Sequence, residues 1–154
     1  MAKRPKETTE IEAPLRAGLP AWDQLPDIEL YMDQVIALMT RFLGAEALTA
    51  SMVNNYVKTG LIPAPVKKRY TREHLAYLTI VCSLKAVMPL SSIRVLLESE
   101  LDERPIEAFY ETFREAMQAT EAAAQRDQNA SDSPALHAAL RARAERELAV
   151  AYYR

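Results

Sequence analysis

The sequence predicts an all-α fold of six helices, with one short proline-marked wing between the second helix and the third. Three observations predict it. Apolar residues recur at three- and four-residue spacing through every long segment, capping residues precede those segments, and proline or glycine closes them. No alternating run is longer than a wing strand, and no internal repeat is present. The 154 residues, 49% of them hydrophobic, can build one sizeable core, which argues against a two-domain enzyme carrying its own cofactor fold.

Residues 1–20 mix three prolines with charge and show no period, and the segment 1–25 is expected to be a disordered N-terminal arm. From Pro26 the stretch PDIELYMDQVIALMTRFLG predicts the first helix, with Asp27 as its cap, Val35, Leu38, Met39 and Phe42 on one face, and Gly44 as its stop. Thr49 caps a short second helix, ASMVNNYVK, which Gly60 closes from the C′ position. Pro63 and Pro65 make Leu61–Val66 a compact loop or wing, with Lys67 to Tyr70 as a short extended basic piece. Thr71 caps a helix that is apolar almost all round, including Leu75, Leu78, Ile80, Val81 and Leu84, so it is expected to be central and buried. Pro89 ends it, and Ser91 or Ser92 begins a short helix with Ile93, Leu96 and Leu97 facing inward. Pro105 fits the first turn of a helix reaching about Gln125, and Pro134 starts the last.

Net charge is −2, so the molecule as a whole is neither a polyanion binder nor an acidic tail, and any nucleic-acid role must come from local charge. Residues 45–97 carry seven bases and two acids, whereas residues 98–121 carry two bases and eight acids. A basic module is followed by an acidic one. The single cysteine, Cys82, lies in an apolar run and reads as a small buried hydrophobe. No run of 18 apolar residues and no signal-peptide pattern is written in the chain, so a cytoplasmic, non-membrane protein is expected.

The second helix carries the functional signal. Val53, Tyr56 and Val57 share one face, while Ser51, Asn54, Asn55 and Lys58 fall at i, i+3, i+4 and i+7 on the other. That outward stripe contains no acid, and asparagine can make a bidentate contact to adenine in the major groove. Lys67, Lys68, Arg69 and Arg72 follow, so from Ser51 to Arg72 there are five bases and no acid. Bases so placed suit contacts with the phosphates of double-stranded DNA. Tyr70 is expected to anchor the wing on the core with its hydroxyl near phosphate.

The runs SMVNNYVKTGLI, KKRYTREHLAYL and VMPLSSIRVLL resemble the MerR-type winged helix-turn-helix domain over about Thr49 to Glu98. The resemblance implies a winged helix-turn-helix DNA-binding domain over 26–98 and a helical dimerisation or extension region over 99–154. In that family an Arg usually stands where this chain has Asn54, a Tyr where it has Asn55, and an acid where it has Val57. Tyr56 matches a family tyrosine, Lys68 matches the wing Arg, and Tyr70 matches the tyrosine that closes the wing. The longer pattern, which includes PDIELYMDQV, is similar to the bacterial domain-of-unknown-function family numbered 1836, over roughly Pro26 to Phe113.

An enzyme needs a nucleophile, base or metal set, and His74 and His137 lie 63 positions apart with no ligand cluster around either. No catalytic residue, metal or cofactor is expected, and no effector pocket is recognisable. His74 reads as a first-turn residue near DNA or solvent. Leu136, Leu140 and Leu148 in an alanine-rich last helix suit a self-associating hairpin, and hence a homodimer. Together these features predict a sequence-specific transcriptional regulator. The competing class is a helical protein-interaction adaptor whose basic wing meets an acidic partner.

Overall fold

The computed structural model describes residues 18–44, 48–130 and 132–152. A short 3₁₀ turn, η1 (Trp22–Gln24), precedes α1 (Met32–Leu43), α2 (Ala50–Lys58), α3 (Arg72–Leu84), α4 (Leu90–Glu103), α5 (Ile106–Asn129) and α6 (Pro134–Tyr152). Among the described residues, strand-type pairing is confined to two isolated antiparallel bridges, Leu30 with Tyr70 and Val66 with Arg69. The fold is therefore all-α.

The core forms around α3. Leu75, Ala76, Leu78, Ile80 and Val81 are fully covered, and α1, α4 and α5 all pack against this helix. Each neighbour contributes a narrower apolar stripe: Val35 and Met39 from α1, Val53 and Tyr56 from α2, Ile93 and Leu97 from α4, and Ile106, Phe109 and Tyr110 from α5. Thr79, mid-helix and buried, satisfies its hydroxyl by donating to the carbonyl of Leu75 at 2.7 Å. The α5–α6 hairpin continues past this core, and no residue of α6 is fully buried.

Several boundaries differ from the sequence reading. The first helix starts at Met32 rather than beside Asp27, because Leu30 exchanges both backbone hydrogen bonds with Tyr70 at 2.8 Å and is held extended. Its first turn is closed by Gln34, whose Oε1 accepts from the Tyr31 N–H. The central helix ends at Leu84 rather than at Pro89, with Val87 and Met88 both donating to the Leu84 carbonyl. The fourth helix is longer than the ten residues expected, and the fifth runs on to Asn129.

The expected arm over 1–25 lies outside the described residues as far as 17. Its remainder is not free. Leu19, Pro20 and Leu25 are buried, the Tyr110 hydroxyl donates to the Pro20 carbonyl at 2.6 Å, and the Trp22 N–H donates to Glu111 at 2.7 Å. Trp22 also meets Tyr110 edge to face. The domain thus begins several residues before Pro26, because three apolar side chains and the only tryptophan of the chain close the outer side of α5.

Candidate nucleic-acid interface

The α2 helix is short, and both of its ends are sealed locally. Thr49 Oγ1 accepts from the Met52 N–H. At the other end Gly60 adopts φ +73°, with its N–H bonded to Val57 O and the Leu61 N–H bonded to Tyr56 O. This is a Schellman closure, and the buried pair Tyr56 and Leu61 supplies its apolar contact. With Val53 and Tyr56 pinned inward, Ser51, Asn54, Asn55 and Lys58 are all exposed, as the spacing predicts.

The next segment turns tightly rather than extending. Val66 and Arg69 exchange backbone hydrogen bonds at 3.0 and 3.2 Å, leaving Lys67 and Lys68 as a two-residue loop. Both lysines have positive φ, +51° and +61°, the pattern of a type I′ hairpin. The expected extended basic piece from Lys67 to Tyr70 is corrected accordingly: the two lysines form the tip, and only Arg69 and Tyr70 are paired as strand. Because Tyr70 also bridges Leu30, the wing is stitched to the chain just before α1.

The five bases do not have equal freedom. Lys58, Lys67 and Lys68 are exposed, and among the described residues no carboxylate pairs with them. Arg69 donates to Glu29 at 2.8 Å and to the Tyr31 hydroxyl at 3.2 Å, and its guanidinium lies 5.4 Å from the Tyr31 ring centre. The hydrogen bond to Glu29 raises its pKa further above the ordinary arginine value. Glu29 lies outside the acid-free window, so the window's charge is partly balanced from elsewhere in the chain. Arg72 is turned away altogether: its Nε donates to the Leu25 carbonyl at 3.0 Å, and its guanidinium lies over Trp22. That arginine fastens the segment before Pro26 to α3.

Tyr70 is 3% exposed and packs edge-on against His74, with burial raising its pKa. The anchoring role fits. A general phosphate-contact role does not, because so little of the residue is uncovered. His74 is likewise not a solvent-facing residue. It is buried, its Nδ1 accepts from the Thr71 N–H at 3.0 Å, and its Nε2 lies 3.2 Å from the Ala64 carbonyl. With Nδ1 accepting, Nε2 carries the hydrogen, so His74 ties the wing's first limb to the start of α3.

Two neighbouring apolar side chains escaped the sequence reading. Val66 is 71% exposed beside the lysine tip, and Ile28 is 62% exposed on the segment that bridges the wing. The only signal for them was β-branching next to a turn. Among the described residues no group of His, Cys, Asp and Glu has metal-holding geometry, and no helix is long and apolar enough to cross a membrane. Cys82 is partly covered, and burial raises the pKa of its thiol.

A family model described as a domain of unknown function, DUF1836, matches residues 20–113. The chain belongs to this family. The DUF1836 match opens at Pro20, so it takes in the docked η1 segment, and it closes at Phe113, within the part of α5 that packs on the core. The second half of α5, which packs against α6, and all of α6 lie beyond it. No curated protein and no solved structure matches the chain.

Proposed function

We propose that this DUF1836 protein is a sequence-specific DNA-binding regulator of winged helix-turn-helix type, with α2 as its reading helix. The observation that carries the reading is the division of α2 into two faces. Val53 and Tyr56 are locked into the core, while Ser51, Asn54, Asn55 and Lys58 are presented together with no acid among them. The wing supports it: Lys67 and Lys68 stand at the tip of a tight hairpin, unpaired among the described residues. In this reading Asn54 and Asn55 address base edges, while Lys58, Lys67 and Lys68 address phosphates. Arg69 is a secondary contact, since an exposed ion pair such as Arg69–Glu29 is screened by solvent, adds little to stability and yields readily to phosphate.

The test is selection of duplexes from random-sequence DNA, followed by anisotropy titrations of a selected and a scrambled duplex over a range of salt concentrations. A groove reader binds the selected duplex better and loses affinity steeply as salt rises. Failure to bind any duplex at low salt would replace this reading with the protein-interaction adaptor.

A further inference from the structure

We propose that the groove between α4 and the 61–66 limb of the wing is a docking site for a basic amphipathic helix of a partner protein. The groove measures about 660 Å³. Its floor is apolar and fixed, since Leu61, Ile62 and Leu97 are buried members of the core and Tyr77 and Leu101 are partly covered beside them. Pro63 and Ala64 form one wall and stay exposed. Arg94 closes one end, where it donates to the Glu98 carboxylate at 2.9 Å and to the Thr59 carbonyl at 3.3 Å. The α2 side is made by Val57, on the opposite side of that helix from Ser51, Asn54, Asn55 and Lys58, so the groove and the proposed reading face are separate surfaces.

The chemistry of the walls selects the occupant. Pro63 and Pro65 have no N–H, and the Ala64 carbonyl is already taken by His74, so this limb cannot pair with an added strand. The other wall is a helix, whose backbone groups are satisfied within it. Recognition is left to side chains, the mode in which a helix lies in a groove. From Arg94 through Glu98 to Asp102 the wall runs two turns of α4, about 12 Å, long enough for apolar anchors one turn apart. That wall is acidic. Glu98 and Asp102 line it, and the lining base, Arg94, is held by Glu98. Burial and then the Glu73 carboxylate raise the pKa of Tyr77, which puts a third acid close by. Asp102 stands where the helix itself disfavours it: α4 ends at Glu103 with no base in its last turn, and the carbonyls of a helix C-terminus carry negative partial charge. Arg104 compensates Glu100, but among the described residues no base pairs with Asp102. A partner's lysine or arginine meets the carboxylate and the helix end together. The same acids disfavour a phosphate backbone here.

The inference does not rest on DNA binding, and its experiment contains no DNA. The probe is a fluorescein-labelled designed helix of about four turns, with leucines on one face and lysines on the other. Two controls accompany it, one with serine for leucine and one with glutamate for lysine. Anisotropy titrations with the full chain should show the leucine–lysine helix binding at least about tenfold tighter than either control. Amide shifts in NMR spectra should fall on Gly60, Ala64 and Leu101. Asp102→Lys should weaken binding about tenfold or more while leaving the unfolding midpoint unchanged or raised, because lysine suits a helix C-terminus. Ala64→Trp fills the groove from an exposed position and should abolish binding. Failure of the probe to bind, or equal binding of the serine–lysine control, would overturn the proposal. So would shifts centred outside the groove, or binding indifferent to both substitutions. Groove amides that move with the chain's own concentration would give the groove to a second copy instead, and displacement of the probe by a peptide of residues 1–17 would give it to this chain's own N-terminal segment.

Discussion

Lys67 and Lys68 hold a conformation that glycine or asparagine adopts more easily. A left-handed backbone costs an ordinary L-residue roughly 1–2 kcal/mol, yet both tip positions carry it. The side chains that accept this cost are charged and exposed, which fits a role for the tip beyond closing the turn. Replacing Lys68 by Gly should therefore stabilise the fold by about 0.5–1 kcal/mol in denaturant unfolding while reducing the salt slope of duplex binding by about one. Stability and binding move in opposite directions only if the lysine meets phosphate. Asn54→Ala and Asn55→Ala should instead cost about 1–3 kcal/mol on the selected duplex and little on scrambled DNA, as compared by paired anisotropy titrations. Arg72→Ala should behave as neither. It releases the Leu25 carbonyl and the face of Trp22, so the expected result is a change in tryptophan emission and a lower melting temperature, with a nearly unchanged salt slope.

Among the elements, α2 has the least margin. Nine residues form about two and a half turns, too few to persist without caps and packing. Thr49→Ala removes the hydroxyl that accepts from Met52 and should cost about 1 kcal/mol. Gly60→Ala meets no steric clash, since nothing lies within 4 Å of the added carbon. Its cost is conformational, about 1 kcal/mol for a positive φ of +73°. Urea titrations of the two variants should thus give similar losses by different physical routes. The wing depends on longer connections. Leu30 holds Tyr70 through the backbone, Glu29 and Tyr31 hold Arg69 through side chains, and His74 holds Ala64, so the segment before α1 and the start of α3 together fix the hairpin.

At the scale of the molecule, the segment from Leu19 to Leu25 is itself tied to α5 and α3. Tyr110→Phe should cost about 1–2 kcal/mol, because it leaves the covered Pro20 carbonyl without its donor. Glu111 couples the same contact to pH. Its hydrogen bonds to Arg114 and to the Trp22 N–H hold its pKa below the ordinary value of 4.5. A carboxylate with a depressed folded pKa contributes its full stability above the unfolded value and loses it as pH falls through the folded one. Acid titration should therefore weaken this contact below about pH 4.5, seen as a change in Trp22 emission, and Glu111→Gln should flatten that step. The charge halves matter at this scale too. A basic segment over 45–97 followed by an acidic one over 98–121 should orient the molecule towards a polyanion by its wing side.

What the sequence by itself determined was everything that depends on neighbours a few residues apart. The Thr49 cap, the Gly60 closure, the outward stripe of α2, the buried α3 and the proline starts of α5 and α6 are all local consequences of spacing, since helical hydrogen bonds join residues four apart. Membership of DUF1836 was legible in the same short runs. The tertiary structure alone decided how the basic window is used. Arg69 meets Glu29 across 40 positions, Arg72 meets Leu25 across 47, and Tyr110 meets Pro20 across 90. Charge counting within a window could not see these partners, nor could helical periodicity reveal that Leu30 is held extended by Tyr70. Such contacts arise when the packed core brings distant backbone and side chains together, and that placement separates the three free lysines from the two arginines the fold itself employs.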